Sequence, residues 1–424
     1  MGKKGLTRRQ FTGTAAAAAG AVAATSIGAP YVARGAEKVV KMGFLGPLTG
    51  EVAGWFLPGL NGAEIWAEQV NAGGGIKIGD DNYMVEIVSY DNEYLADKSL
   101  IGAKKLVLED DVKLVQMLGG TDAPAAVQFF TKQKMLSTTL LPSDLTRDTL
   151  YHLAPAEVHP IYNVTGVEWL AENRPELKTA AICAQDDELG WPSVATYLAA
   201  FEAAGIDVVY NKFFDPATTD FAPVVTAMLA DNPDIVCLDT AYPDYVNLIS
   251  EQLFLQGFDG QIISCTFDFY SKIIEKTSTE FVEGLIWQFP DFDDPAMKEA
   301  HINFENPDGF FAEYNARFPD SWSAVSWEYS AIAEMWRLAA EKAGSVEPME
   351  VLAALKEGGR GPHVFGDADW WGLELWGIDN ALVGNWPVVQ MQNGKATIVE
   401  YRNIIDWYSR HGDLLKKHTE ALGG

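Results

Sequence analysis

Apolar positions come in short dense runs, separated by longer stretches in which they recur every three or four residues. Val39, Val40, Met42, Phe44 and Leu45 make the first run. The turn Gly46-Pro47-Leu48-Thr49-Gly50 follows, and a helical pattern then leads to Asn71-Ala72-Gly73-Gly74-Gly75. A second run, 83–90, closes on Asp91. Apolar runs of strand length on both sides of a helix predict a βαβ unit, whose crossover requires a parallel sheet. Ligands of open parallel sheets sit beyond the carboxyl ends of the strands, so the loop 46–58 is expected to face a binding site. Trp55 and Phe56 lie in that loop, where they either line the site or pack on the helix below.

The rhythm continues along the chain. Leu100, Ala103 and Val107 predict an amphipathic helix over 97–108, and 112–118 reads as a third strand running into Gly119-Gly120-Thr121-Asp122-Ala123-Pro124. Two glycines before Thr-Asp leave backbone N–H groups and a hydroxyl able to hold a carboxylate, although Thr and Asp are also ordinary helix caps. A further strand is expected at 135–141, with the loop 142–146 after it. From Ile161 strands at 179–184, 206–213, 235–238 and 261–265 alternate with helices, which predicts a second parallel α/β domain. The stretch 291–343 is mostly helical, with Phe310, Tyr314 and Phe318 on one core face and Ile332, Met335 and Trp336 on another. Trp370, Trp371 and Trp376 crowd the segment 367–380, either as a surface hairpin on the first domain or as an aromatic wall of a cleft. Asn393-Gly394 between two apolar runs predicts a hairpin, and a last helix is expected over 404–422.

The stretch GPLTGEVAGWFLPGLNGAEIWAEQVNAGGG at 46–75, with SYDN at 89–92, resembles the opening of the type I periplasmic solute-binding proteins, the branched-chain amino-acid class that feeds ABC importers. The resemblance extends through the order of elements over most of the chain after its leader. It implies an α/β fold of two Rossmann-like parallel-sheet lobes joined by a three-crossing hinge, with lobe 1 formed by 37–156 and 288–385 and lobe 2 by 157–287 and 386–424. Pro155, Pro160, Pro290 and Pro387 would limit the torsions of the crossings. In the family the turn at Gly120, Thr121 and Asp122 holds the ligand's carboxylate, and the next strand end supplies a hydroxyl. Thr139 matches that strand end, whereas Leu141 stands where a threonine is usual. An aromatic residue normally precedes the glycine of the first lobe-2 loop; Leu189 occupies that slot here, and Trp191 follows the glycine. The segment Tyr242-Pro243-Asp244 resembles the place where amino-acid binders keep an acid for the ammonium group, with Asp239 and Asp244 as candidates that serve equally as caps.

Composition narrows the class further. The 424 residues suit two domains plus a processed leader. Thr7-Arg8-Arg9-Gln10-Phe11, an alanine-rich stretch and small residues near Ala36 read as a twin-arginine export signal over 1–36. Removing its five cations takes the net charge from -28 to -33, which repels nucleic acid and anionic lipid. No cysteine sits near the cleavage region to take a lipid, so a soluble periplasmic monomer is expected. Cys183, Cys237 and Cys265 each lie in an apolar run, as reduced structural thiols do.

No GxSxG, P-loop, GxGxxG, HExxH or EF-hand pattern is present, and the six histidines have no ligand spacing. The expectation is therefore binding without turnover: no enzyme, no cofactor and no metal. The small-molecule ligand is expected to be a carboxylate-bearing solute, either an amino acid or an aromatic or other organic acid. The partner is an inner-membrane ABC permease, or a receptor if the chain is a sensory module of the same fold.

Overall fold

The computed structural model describes residues 38–239, 243–299 and 306–422; the leader and Tyr242 lie outside them. The first sheet contains β1 (Lys38–Gly46), β2 (Ile76–Ile78), β3 (Asp81–Asp91), β4 (Leu114–Met117), β5 (Ser137–Thr138) and β6 (His152–Leu153), in the spatial order β2-β3-β1-β4-β5-β6. Only β2 runs antiparallel, as a hairpin onto β3. The last five residues of β1 are all buried, as expected of a central parallel strand covered on both faces.

The second sheet contains β7 (Thr179–Gln185), β8 (Asp207–Phe214), β9 (Ile235–Leu238), β10 (Gln261–Ser264) and β11 (Ile286–Trp287) as parallel strands in the order β8-β7-β9-β10-β11. A three-stranded antiparallel sheet follows in the chain: β12 (Arg360–His363), β13 (Gly366–Trp371) and β14 (Ala381–Val383). It joins the end of the first sheet through a bridge between Ala154 and Ala381. The chain then returns to the second sheet, where β15 (Asn385–Gln392) pairs antiparallel with β11, and β16 (Lys395–Asn403) closes the Asn393-Gly394 hairpin. The fold is α/β with two lobes. In each lobe the strand order reverses about one strand, β1 in the first and β7 in the second, and the crevice there is where open α/β sheets bind ligands.

Close helix packing builds the first lobe. Helix Leu57–Ala72 lies against helix Val325–Ala343, so closely that a Cβ on Gly62 would stand 1.8 Å from the Ser326 carbonyl oxygen. Trp66 donates across this contact to Glu334 Oε2 at 2.9 Å. Where the chain passes between the sheets, one aromatic comes from each crossing. Tyr162 stacks on Trp386, and Phe289 sits edge-on to both. The tryptophan-rich segment packs as β13 and its flank: Trp370 donates to the Leu355 carbonyl, while Trp371 contacts Trp376 and Tyr408. That is the packed arrangement, not an aromatic wall of the cleft.

Candidate functional site

The loop after β1 is anchored at its start. Leu48 N–H and the Thr49 hydroxyl both donate to Asp91 at the end of β3, at 3.0 and 2.6 Å. A short helical turn then delivers Trp55 and Phe56 to different surroundings. Phe56 is wholly buried between Phe44 (centroids 4.3 Å) and Tyr329 (5.1 Å), which makes it a core residue and corrects its placement in the site. Trp55, 5% exposed, lines a cavity of about 400 Å³ between the lobes, opposite Asp244, Tyr245 and Phe269. Its indole N–H has no acceptor among the described residues.

The turn after β4 is occupied by the chain itself. Gly120 N–H donates to both carboxyl oxygens of Asp144 at 3.1 and 3.0 Å, and the Thr139 hydroxyl donates to Asp144 Oδ2 at 2.9 Å. Gly119, with φ +105°, permits this: a Cβ there would stand 2.2 Å from Thr139 Oγ1 and 2.3 Å from Asp144 Oδ2. The expected seat for a ligand carboxylate at Gly120 and Thr139 thus holds a side-chain carboxyl, and a second anion would have to displace it. Thr121 is engaged as well, donating to Glu188 Oε2 of the second lobe at 3.1 Å. Leu141 is buried, with its N–H bound to Thr139 Oγ1 at 3.0 Å. Asp122 is buried and accepts from the Asn92 amide. Burial pushes its carboxyl up to about 8 against the opposing Asn92 bond, and pushes Asp144 up to about 7.

From the second lobe, Trp191 is 42% exposed and its indole donates to Asp186 Oδ1 at 2.7 Å. It lines a cavity of about 540 Å³ that also takes in Gly120, Thr121, Asp144 and Glu188. Leu189 is buried, its carbonyl accepting from His159 Nε2 at 3.4 Å. Asp239 is buried at the end of β9 and accepts from the Ser193 hydroxyl; burial holds its carboxyl well above the usual range. The sequence candidates therefore divide between two inter-lobe cavities, Trp55 with Asp244 in one, and Gly120 and Thr121 with Trp191 in the other.

Three acids that periodicity did not single out stand where the lobes join. Glu157 lies on the first crossing, Glu328 in helix Val325–Ala343, and Asp268 in the loop after β10. Glu157 and Glu328 are 4% and 0% exposed, and their carboxyl groups adjoin. Asp268 Oδ1 accepts from Ala324 N–H, so a second-lobe side chain caps a first-lobe helix. Burial pushes Glu157 and Asp268 up to about 7, and Glu328 well above the usual carboxyl range. The sequence did carry one trace of this: Glu328 stands directly between Trp327 and Tyr329, in a part of the helix where both neighbours are aromatic.

Two parallel sheets whose carboxyl-end loops meet across a cleft point to a solute-binding architecture, and the sequence model of the periplasmic binding proteins matches residues 39–396. The chain belongs to that family. Among solved structures, this periplasmic binding protein is similar to the solute-binding protein of an ABC transporter from Rhodopseudomonas palustris BisB5 in complex with 3,4-dihydroxybenzoic acid. The two share 18% identity and a TM-score of 0.69, over 87% of this chain and 98% of that one. It is also similar to the branched-chain amino acid transporter substrate-binding protein LivJ from Streptococcus pneumoniae in complex with isoleucine (18% identity, TM-score 0.68, 86% and 100% covered). A third similar structure is an ABC transporter substrate-binding protein from Sphaerobacter thermophilus (16% identity, TM-score 0.70, 86% and 98% covered). These likenesses are of fold, the type I arrangement of two lobes.

Proposed function

We propose that this protein is the substrate-binding component of an ABC importer, capturing one small organic solute between its lobes and presenting the closed form to an inner-membrane permease. The observation that carries this reading is the pair of contacts made across the cleft, Thr121 to Glu188 between strand-end loops and Asp268 to Ala324 at a helix start. Such contacts form only when the lobes approach, so a solute that adds to them drives closure. The leader at 1–36 would send the folded chain through the twin-arginine route to the periplasm, where it acts as a monomer. The solutes named for the similar structures, isoleucine and dihydroxybenzoate, are of a size that a cavity of about 400 Å³ encloses. A carboxylate on this protein's solute would need donors other than Gly120 and Thr139, which serve Asp144.

The test is a thermal-shift screen of small solutes, followed by small-angle scattering with and without each hit. A solute of this protein raises the melting temperature, decreases the radius of gyration and is recovered unmodified after denaturation. A solute that binds without compaction would contradict capture by closure, and one recovered chemically altered would make the protein an enzyme.

A further inference from the structure

We infer that the carboxyl groups of Glu157, Glu328 and Asp268 form the seat for a small organic cation, a protonated amine or guanidinium, held where the two lobes join. This rests on the binding role proposed above and names the class of solute.

The three acids come from three separate parts of the chain, the first crossing, a first-lobe helix and a second-lobe loop, so the fold concentrates them at one junction. Their hydrogen-bond partners are too few. The Tyr162 hydroxyl, 3.1 Å from Glu157 Oε1 and 3.0 Å from His159 Nδ1, has one proton to give between them, and Ala324 N–H donates once to Asp268 Oδ1. Apart from the adjoining Glu157 carboxyl, no donor among the described residues serves either oxygen of Glu328, wholly buried, or Asp268 Oδ2, shielded from solvent. A proton shared between Glu157 and Glu328 satisfies part of this need and leaves the rest. Unpaired carboxylates are costly to bury, and the protein supplies no counter-ion here. Among the described residues no lysine or arginine forms an ion pair with any of the three. The one basic neighbour, His159, has Nδ1 4.0 Å from Glu157 Oε1. That nitrogen is already paired with the Tyr162 hydroxyl at 3.0 Å, and burial holds the imidazole down at about 4, so it is neutral at working pH.

The missing charge is therefore brought by the ligand. Among the described residues no three acidic, histidine or cysteine groups are spaced to hold a metal ion, which favours an organic cation. Trp55 supports the same class. Its buried indole lines a cavity that takes in Asp244 and ends on Phe269, the residue after Asp268, and an aromatic ring in a cavity walled by a carboxylate suits an ammonium or guanidinium group. Because Asp268 belongs to the second lobe and Glu328 to the first, a cation between them gains its full attraction only when the lobes close.

The experiment is calorimetry and thermal shift on the wild-type protein with putrescine, agmatine and ethanolamine, set against isoleucine, 4-hydroxybenzoate and calcium chloride. At least one of the organic cations is expected to stabilise the protein. E328Q should weaken that cation tenfold or more without lowering the melting temperature of the unliganded protein. Binding should also release protons, seen as an enthalpy that changes with the ionisation heat of the buffer; a purely structural acid cluster gives no such dependence. D268N, which keeps an acceptor for Ala324 N–H, carries the same test should E328Q not fold. Stabilisation by isoleucine, 4-hydroxybenzoate or calcium alone overturns the cation assignment and leaves solute binding standing. Wild-type cation affinity in both variants overturns it too. Silence from every probe counts against both.

Discussion

Tyr162 stacks on Trp386 with ring centroids 5.0 Å apart and planes 10° from parallel. The two residues stand on different crossings between the lobes, and the Trp386 indole donates to the Gln288 carbonyl of the remaining crossing at 2.9 Å. Trp386→Ala removes a wholly buried ring and should cost about 3–5 kcal/mol of unfolding free energy. Urea denaturation checks this; a loss under about 1 kcal/mol would mean the crossings are held together by something else.

Trp55 and Phe56 are adjacent, yet their substitutions should separate. Trp55→Ala opens the cavity wall, so the dissociation constant of a solute found in the thermal-shift screen should rise tenfold or more, about 1.4 kcal/mol. Phe56→Ala empties the contact between Phe44 and Tyr329 and should cost about 3–5 kcal/mol in stability. Calorimetry and melting curves read the two effects, and an unchanged dissociation constant for Trp55→Ala removes that residue from the site.

Stability should fall as pH rises above neutrality. Burial pushes Asp144, Glu157, Asp268 and Asp291 up to about 7 and Asp122 up to about 8 in the folded protein. The folded state therefore holds protons that the unfolded chain has released, and the stability this contributes is lost as pH climbs through 7 to 8. The buried histidines oppose it. His152 is held down at about 3, His159 and His363 at about 4, so their contribution is lost only as pH drops below the ordinary histidine value of 6.5. Between pH 6.5 and 8.5 the acids act alone, and the melting temperature should decline across that window, less steeply in Asp144→Asn.

The three thiols should be inert. Cys183, Cys237 and Cys265 are buried and form no disulfide among the described residues; burial pushes the Cys183 thiol up to about 12 and the other two well above their ordinary value. A thiol-specific chromogenic disulfide should react with none of them in the native protein and with all three after denaturation.

The lobes were legible because parallel strands buried on both faces leave dense apolar runs, as at 39–45 and 235–238, and because Asn-Gly marks a hairpin. β2 was missed, since three residues carry no period. The site was harder to read for a different reason. Whether Gly120 serves a solute or Asp144 depends on a side chain 24 positions away in the chain. The different fates of Trp55 and Phe56 follow from the geometry of one short helical turn, and no hydropathy pattern encodes that. Glu157 and Glu328 meet only through tertiary packing, so nothing local to either announces the pair.

The bond from Ala324 N–H to Asp268 joins a helix start on one lobe to a carboxyl on the other. When the halves part, that amide loses its acceptor and meets water, so its hydrogen-exchange rate becomes a single-residue gauge of how often the molecule gapes, readable without knowing what it carries.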